Sequence, residues 1–172
     1  MKNFARMAVL AVVATATATP ALAVPPGTPV EADPKAQAHV TITKPLILIA
    51  DADLQFGSVA VYGPGTVSIA YADGATSCGP VAEMTCDFTG AQRAEYTVRG
   101  ANNAIVDVNV APSTLDNGSG GTIAFTPLAQ DTLQLNNAGS VGTKLYVGGE
   151  VTLAANTAEG VYAGDIELTV EY

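Results

Sequence analysis

Asp165–Tyr172 reads DIELTVEY. Ile166, Leu168, Val170 and Tyr172 fall on one side of an extended chain, and Asp165, Glu167, Thr169 and Glu171 on the other. That is the period of a half-buried β-strand. A slip of one residue would bury three carboxylates, so the register is firmly set.

Working back from this end, TKLYVGGEVTL, residues 143–153, carries Leu145, Val147, Val151 and Leu153 on one face with Gly149 in register. Lys144, Tyr146, Glu150 and Thr152 take the other. Leu133 and Leu135 form a shorter alternation that ends at Asn136-Asn137-Ala138-Gly139. Ile123 and Phe125 alternate with Thr122, Ala124 and Thr126, after a turn-rich Asp116-Asn117-Gly118-Ser119-Gly120-Gly121 whose Asn and Gly tolerate positive φ. Further strands are expected at Leu54–Val61, at Thr66–Tyr71, and from Tyr96–Val98 past Gly100 into Ile105–Val110. Leu46, Ile47, Leu48 and Ile49 follow Pro45, which cannot donate to a ladder and so marks an edge or a break. About eight short strands with no helical stretch between them predict an all-β, antiparallel β-sandwich. A closed barrel has the same signature.

The beginning of the chain has another composition. Lys2 and Arg6 precede an apolar run, Met7–Ala14, and Ala21-Leu22-Ala23 follows. This is the three-part form of a secretory signal peptide, with cleavage expected after Ala23. The run is short of the roughly 20 residues that a membrane-spanning helix needs, so no membrane insertion is expected after cleavage. The organisation is therefore a signal peptide over 1–23, a proline-rich leader over 24–36, and a β-sandwich over 37–172. Four prolines interrupt Val24–Pro34. Beyond them Ala36, Ala38, Val40 and Ile42 alternate, as the domain's own first strand would.

Without residues 1–23 the chain has five basic residues (Lys35, Lys44, Arg93, Arg99, Lys144) against sixteen acidic ones, a net charge of −11. Such a surface repels nucleic acid phosphates, and no nucleic acid partner is expected. Cys78 and Cys86 bracket CGPVAEMTC. In an oxidising compartment a pair this close reads as a local structural disulfide. Zinc would need more ligands than two Cys and the single histidine, His39.

The two ends of the domain resemble a known family. DLQFGSV, Asp53–Val59, and GVYAGDIELTVEY, Gly160–Tyr172, are similar to the D-L-x-F-G and G-x-Y-x-G turns of an uncharacterised bacterial exported domain family allied to spore coat protein U and, more distantly, to chaperone–usher pilin subunits. The matching positions are Asp53, Leu54, Phe56 and Gly57, then Gly160, Tyr162, Gly164 and Tyr172. The resemblance implies an immunoglobulin-like, pilin-like sandwich. It also implies a non-enzymatic structural or cell-surface subunit that assembles by β-strand complementation, its partners being copies of itself or related subunits and a periplasmic chaperone. The candidate strand-exchange surface is then Val40 and Ile42 with Ile166, Leu168, Val170 and Tyr172. The alternative reading is a complete, monomeric exported sandwich that binds a carbohydrate, a protein or an ion.

Catalysis finds little support. There is no G-x-S-x-G elbow, and His39 is the one histidine available to a triad. Asp51-Ala-Asp53 opens like a calcium loop, but Gly57 falls one place late and Tyr62 stands where a bidentate Glu belongs. No catalytic, cofactor-binding or metal-ligating residue is assigned, and no cofactor is expected.

Overall fold

The structure, a computed structural model, describes Gly27, Pro29, residues 31–136 and residues 141–172. The expected signal peptide and most of the turn at 136–139 lie outside the described residues. The chain divides into two units, Met1–Val40 and Thr41–Tyr172. In the first, the described residues form no strand and are exposed. The second is an antiparallel β-sandwich.

Its strands, in chain order, are β1 (Ile47–Ala52), β2 (Ser58–Val61), β3 (Gly65–Ile69), β4 (Thr76–Gly79), β5 (Met84–Asp87), β6 (Ala94–Arg99), β7 (Ile105–Ala111), β8 (Ser113–Asp116), β9 (Thr122–Leu128), β10 (Thr132–Gln134), β11 (Thr143–Leu153) and β12 (Glu167–Glu171). One seven-stranded sheet runs β1-β6-β11-β3-β4, with β9 also on β11 and β8 on β9. The facing layer consists of β10-β7-β12 and the pair β2-β5.

β11 organises both halves of the core. Its residues 143–147 pair with β6, and residues 149–152 pair with β3 on one edge and β9 on the other. The alternation read in TKLYVGGEVTL is the reason: Leu145, Val147, Val151 and Leu153 are all buried on one face. Leu145 joins Val98, Val106, Val108, Leu133 and Leu135 in a cluster under β10-β7-β12. Val151 and Leu153 join Val67, Met84, Ile123 and Phe125 in a second cluster under β2-β5.

Three strands escape a reading by period. β4, β5 and β8, reading TSCG, MTCD and STLD, have too few large apolar residues to mark an alternation, and all three are set by pairing. Leu54 and Phe56, expected in a strand, precede β2 and pack into the second cluster instead. Phe56 meets the Phe125 ring edge to face, with centroids 6.0 Å apart. Gly57 then turns the chain at φ +83°, where a Cβ would collide with the carbonyl of Asp87. This is the physical content of the D-L-x-F-G turn: two core anchors, then the residue that tolerates both the positive φ and the close approach.

Candidate functional site

The terminal alternation does face the core, but at the margin of the sandwich. β12 bonds only to β7 and β1 only to β6 among the described residues, so each closes one sheet with an unpaired edge. Leu168 and Val170 lie opposite Val110 and Val108 and pack against the first cluster, yet they are half-buried where Val106 on the middle strand is 0 % exposed. On β1, Leu48 is opposite the buried Val98, so it points inward. It is nevertheless 37 % exposed, and Ala50, the next inward residue, is exposed as well. Core-facing side chains on both marginal strands are thus incompletely covered.

One end of this seam is tied by Tyr172. Its hydroxyl donates to the carbonyl of Lys44 (2.7 Å) and accepts the amide of Ala101 (2.8 Å). These bonds bring together the end of β12, the approach to β1 and the turn between β6 and β7. Gly100 makes the approach possible, because a Cβ there would sit 2.6 Å from the Tyr172 oxygen and 2.8 Å from Leu46 Cδ2. β1 runs away from this tied end and β12 runs toward it, so the two edges are antiparallel across the seam.

Of the candidate strand-exchange residues, Leu168, Val170 and Tyr172 are gathered here. Ile166 is placed differently, half-buried in the second cluster before β12 begins. Val40 and Ile42 belong to no strand and are 83 % and 88 % exposed. The reading of Ala36–Ile42 as the domain's own first strand is thereby corrected: the first strand begins at Ile47, after Pro45. Sequence reasoning missed the exposed inward face of β1 and the Lys44 carbonyl. LILIA carries no alternation, and a main-chain acceptor leaves no trace in residue identity.

The outer face of the β1-β6-β11 layer has its own polar network. The Thr97 hydroxyl donates to Asp51 Oδ2 (2.5 Å), and the Lys144 ammonium reaches the same oxygen (3.0 Å) and Glu95 Oε1 (2.5 Å). The Thr97 bond, with Lys144 beside it, holds the Asp51 carboxyl below its ordinary range. Glu95 and then Asp51 push the Lys144 ammonium up. Asp51 is therefore engaged on a sheet face, between Thr97 and Lys144. Arg93 lies over the Tyr146 ring, 3.6 Å from its centroid, and donates to the carbonyls of Tyr71 and Ala72. Among the described residues no group of three His, Cys, Asp or Glu side chains is placed to hold a metal.

Tyr162, of the G-x-Y-x-G turn, packs into the second cluster while its hydroxyl donates to the carbonyl of Ala158 (2.8 Å). Cys78 and Cys86 form a disulfide. It joins β4, at the margin of the seven-stranded sheet, to β5 in the facing layer, and both cysteines pack on the second cluster. Such a bond is compatible with an oxidising, exported environment.

Residues 40–172 match the family described as a domain of unknown function, DUF4402. The chain belongs to the DUF4402 family. The resemblance read from the end motifs holds at the level of an uncharacterised domain family, and the DUF4402 match covers both motifs, the seam and the tie. No curated protein and no solved structure matches this DUF4402 chain.

Proposed function

We propose that this DUF4402 protein is an exported, non-enzymatic structural subunit of the cell surface that assembles by addition of a β-strand at the seam between β1 and β12. The observation that carries this reading is the incomplete cover over Leu48, Leu168 and Val170, set between two edges whose main-chain groups bond to no strand among the described residues. An edge of this kind is a template for another strand, with main-chain bonds supplying affinity and alternate side chains filling the core. Val40 and Ile42 supply an exposed alternation suited to that place.

The end motifs add the resemblance to spore coat protein U and to pilin subunits, in which an immunoglobulin-like sandwich is completed by a neighbour. Partners are then copies of this chain or related subunits, with a periplasmic chaperone covering the seam until assembly. The three-part N-terminus and the disulfide support export.

The test is the mass of the mature chain, residues 24–172, by light scattering with electron microscopy, beside an Ile42→Asp variant. Ile42 is exposed in the single chain, so the variant still folds. Fibres or oligomers that disappear with the substitution support strand addition. A folded monomer at every concentration rejects it and turns attention to a self-sufficient sandwich that binds a ligand.

A further inference from the structure

The turn between β8 and β9 places one side chain among the groups that could convert it. Asn117-Gly118 is the only Asn-Gly pair in the chain. It lies between Asp116, the last residue of β8, and Thr122, the first of β9. In such a pair the Gly amide nitrogen can attack the Asn side-chain carbon and close a five-membered ring, and glycine puts no Cβ in the way. Three things favour the attack: a base for the nitrogen's proton, donors for the side-chain oxygen, and freedom for the amide nitrogen to depart.

The fold supplies the first two directly. The Gly118 amide donates to Asp116 Oδ1 at 2.5 Å, which sets a carboxylate on the proton that must be removed. Asn117 Oδ1 accepts the Ser119 amide at 3.0 Å and the Gly121 amide at 2.8 Å. These are two main-chain donors on the oxygen where negative charge develops during the attack. Asn117 Nδ2 donates to the Tyr162 hydroxyl (3.5 Å), which donates in turn to the carbonyl of Ala158 (2.8 Å). A Cβ at Gly121 would lie 2.5 Å from that Nδ2, and one at Gly160 would lie 3.1 Å from Asn117 Cβ. The turn itself is held in place, because Asp116 and Ala163 exchange both main-chain bonds, at 2.8 and 3.0 Å.

We propose that Asn117 is a self-modification site, at which the Gly118 nitrogen displaces the side-chain amide with Asp116 as the base. The bond from Gly118 N to Asn117 Cγ forms and the bond from Cγ to Nδ2 breaks. The proton taken from Gly118 by Asp116 passes through water to the departing nitrogen, which leaves as ammonia. Water then opens the ring at either carbonyl, giving aspartate or isoaspartate. The net change is hydrolysis of the amide, with nothing oxidised or reduced.

Conversion alters the junction at which the β8–β9 turn meets the G-x-Y-x-G turn. Aspartate sets a second carboxylate beside Asp116 and removes the donor to Tyr162. Isoaspartate reroutes the main chain through the side-chain carbon and lengthens the turn.

The experiment incubates the mature chain, residues 24–172, folded at neutral pH and, in parallel, unfolded in guanidinium chloride. Proteolytic peptides are followed by mass spectrometry, with isoaspartate separated from aspartate by chromatography. Asn156, which precedes Thr157, is the internal reference. Asn117 should convert at least as fast in the folded chain as in the unfolded one, while Asn156 stays intact. Asp116→Asn retains an acceptor for the Gly118 amide but has no base, and should convert at least about tenfold more slowly. Its melting temperature by circular dichroism should stay near that of the wild type.

Slower conversion in the folded chain than in the unfolded one would overturn the proposal, since the turn would then protect the side chain. Equal rates in the wild type and Asp116→Asn would overturn it as well, leaving an Asn-Gly pair that Asp116 does not assist. If Asp116→Asn does not fold, Asp116→Ser decides by the same comparison.

Discussion

Phe125 and Leu168 are both apolar residues on strands facing the core, and they differ in cover. Phe125 is 2 % exposed with Phe56 packed on its ring, whereas Leu168 is half-buried on a marginal strand. Phe125→Ala should cost about 3–5 kcal/mol, because truncation removes burial and leaves a cavity. Leu168→Ala should cost roughly 1–2 kcal/mol in the isolated chain, since water already reaches much of its surface. Urea unfolding of the two variants checks this, and equal losses would mean that the seam is covered in solution. Both residues were legible as inward-facing from DIELTVEY and from the Ile123/Phe125 alternation. Their different exposure was not, because period reports which face a side chain takes and says nothing of what lies beyond the next strand. Gly57 was legible as a turn residue, but the Asp87 carbonyl that excludes a Cβ is thirty residues on in the chain.

At the scale of elements, the disulfide and the edges act differently. Cys78–Cys86 spans layers at the β4–β5 end, away from Tyr172 and the seam in the contacts each makes. Replacing both cysteines by alanine should leave a folded sandwich that is less stable by about 2.6 kcal/mol on the chain-entropy account of a nine-residue loop. Assembly at a temperature where the variant remains folded should be unchanged. Urea midpoints and light scattering on one preparation test the two halves of this statement, and loss of assembly in the folded variant would tie the bond to the seam. The pair was readable as a local bond from its spacing. That it crosses between sheets was not, because β4 and β5 are too short to be seen until their partners β3 and β2 are in place.

For the whole molecule, charge sets the response to acid. Thr97 and Lys144 depress the Asp51 carboxyl, and the Thr89 hydroxyl and amide depress that of Asp87, each from an ordinary 3.8. Folded-state values below the unfolded ones mean that this stability is fully present above about pH 4 and is lost as pH falls through the folded values. Lys144, raised from 10.5 by Glu95 and Asp51, contributes in the opposite sense: its share is present below that value and is lost as pH rises through the folded one. All three groups are exposed, so the effect is modest. Melting temperatures between pH 6 and pH 2 should fall, and the fall should be shallower when Asp51 and Asp87 are both changed to Asn. An unchanged acid slope in that double variant would assign the loss to other carboxylates.

The all-β class, the inward faces of the last two strands, a break at Pro45 and the pairing of the two cysteines were legible in the residues themselves. All of these are local properties, written in periods of two residues, in turn chemistry and in spacing. That the start of the first strand falls at Ile47, that β1 and β12 are marginal strands with incompletely covered inner faces, and that Tyr172 ties down a carbonyl 128 residues earlier became visible in the folded chain alone. Which strands lie at the margin depends on the order of strands in a sheet. That order comes from pairing between distant segments, and no local pattern in either strand records it.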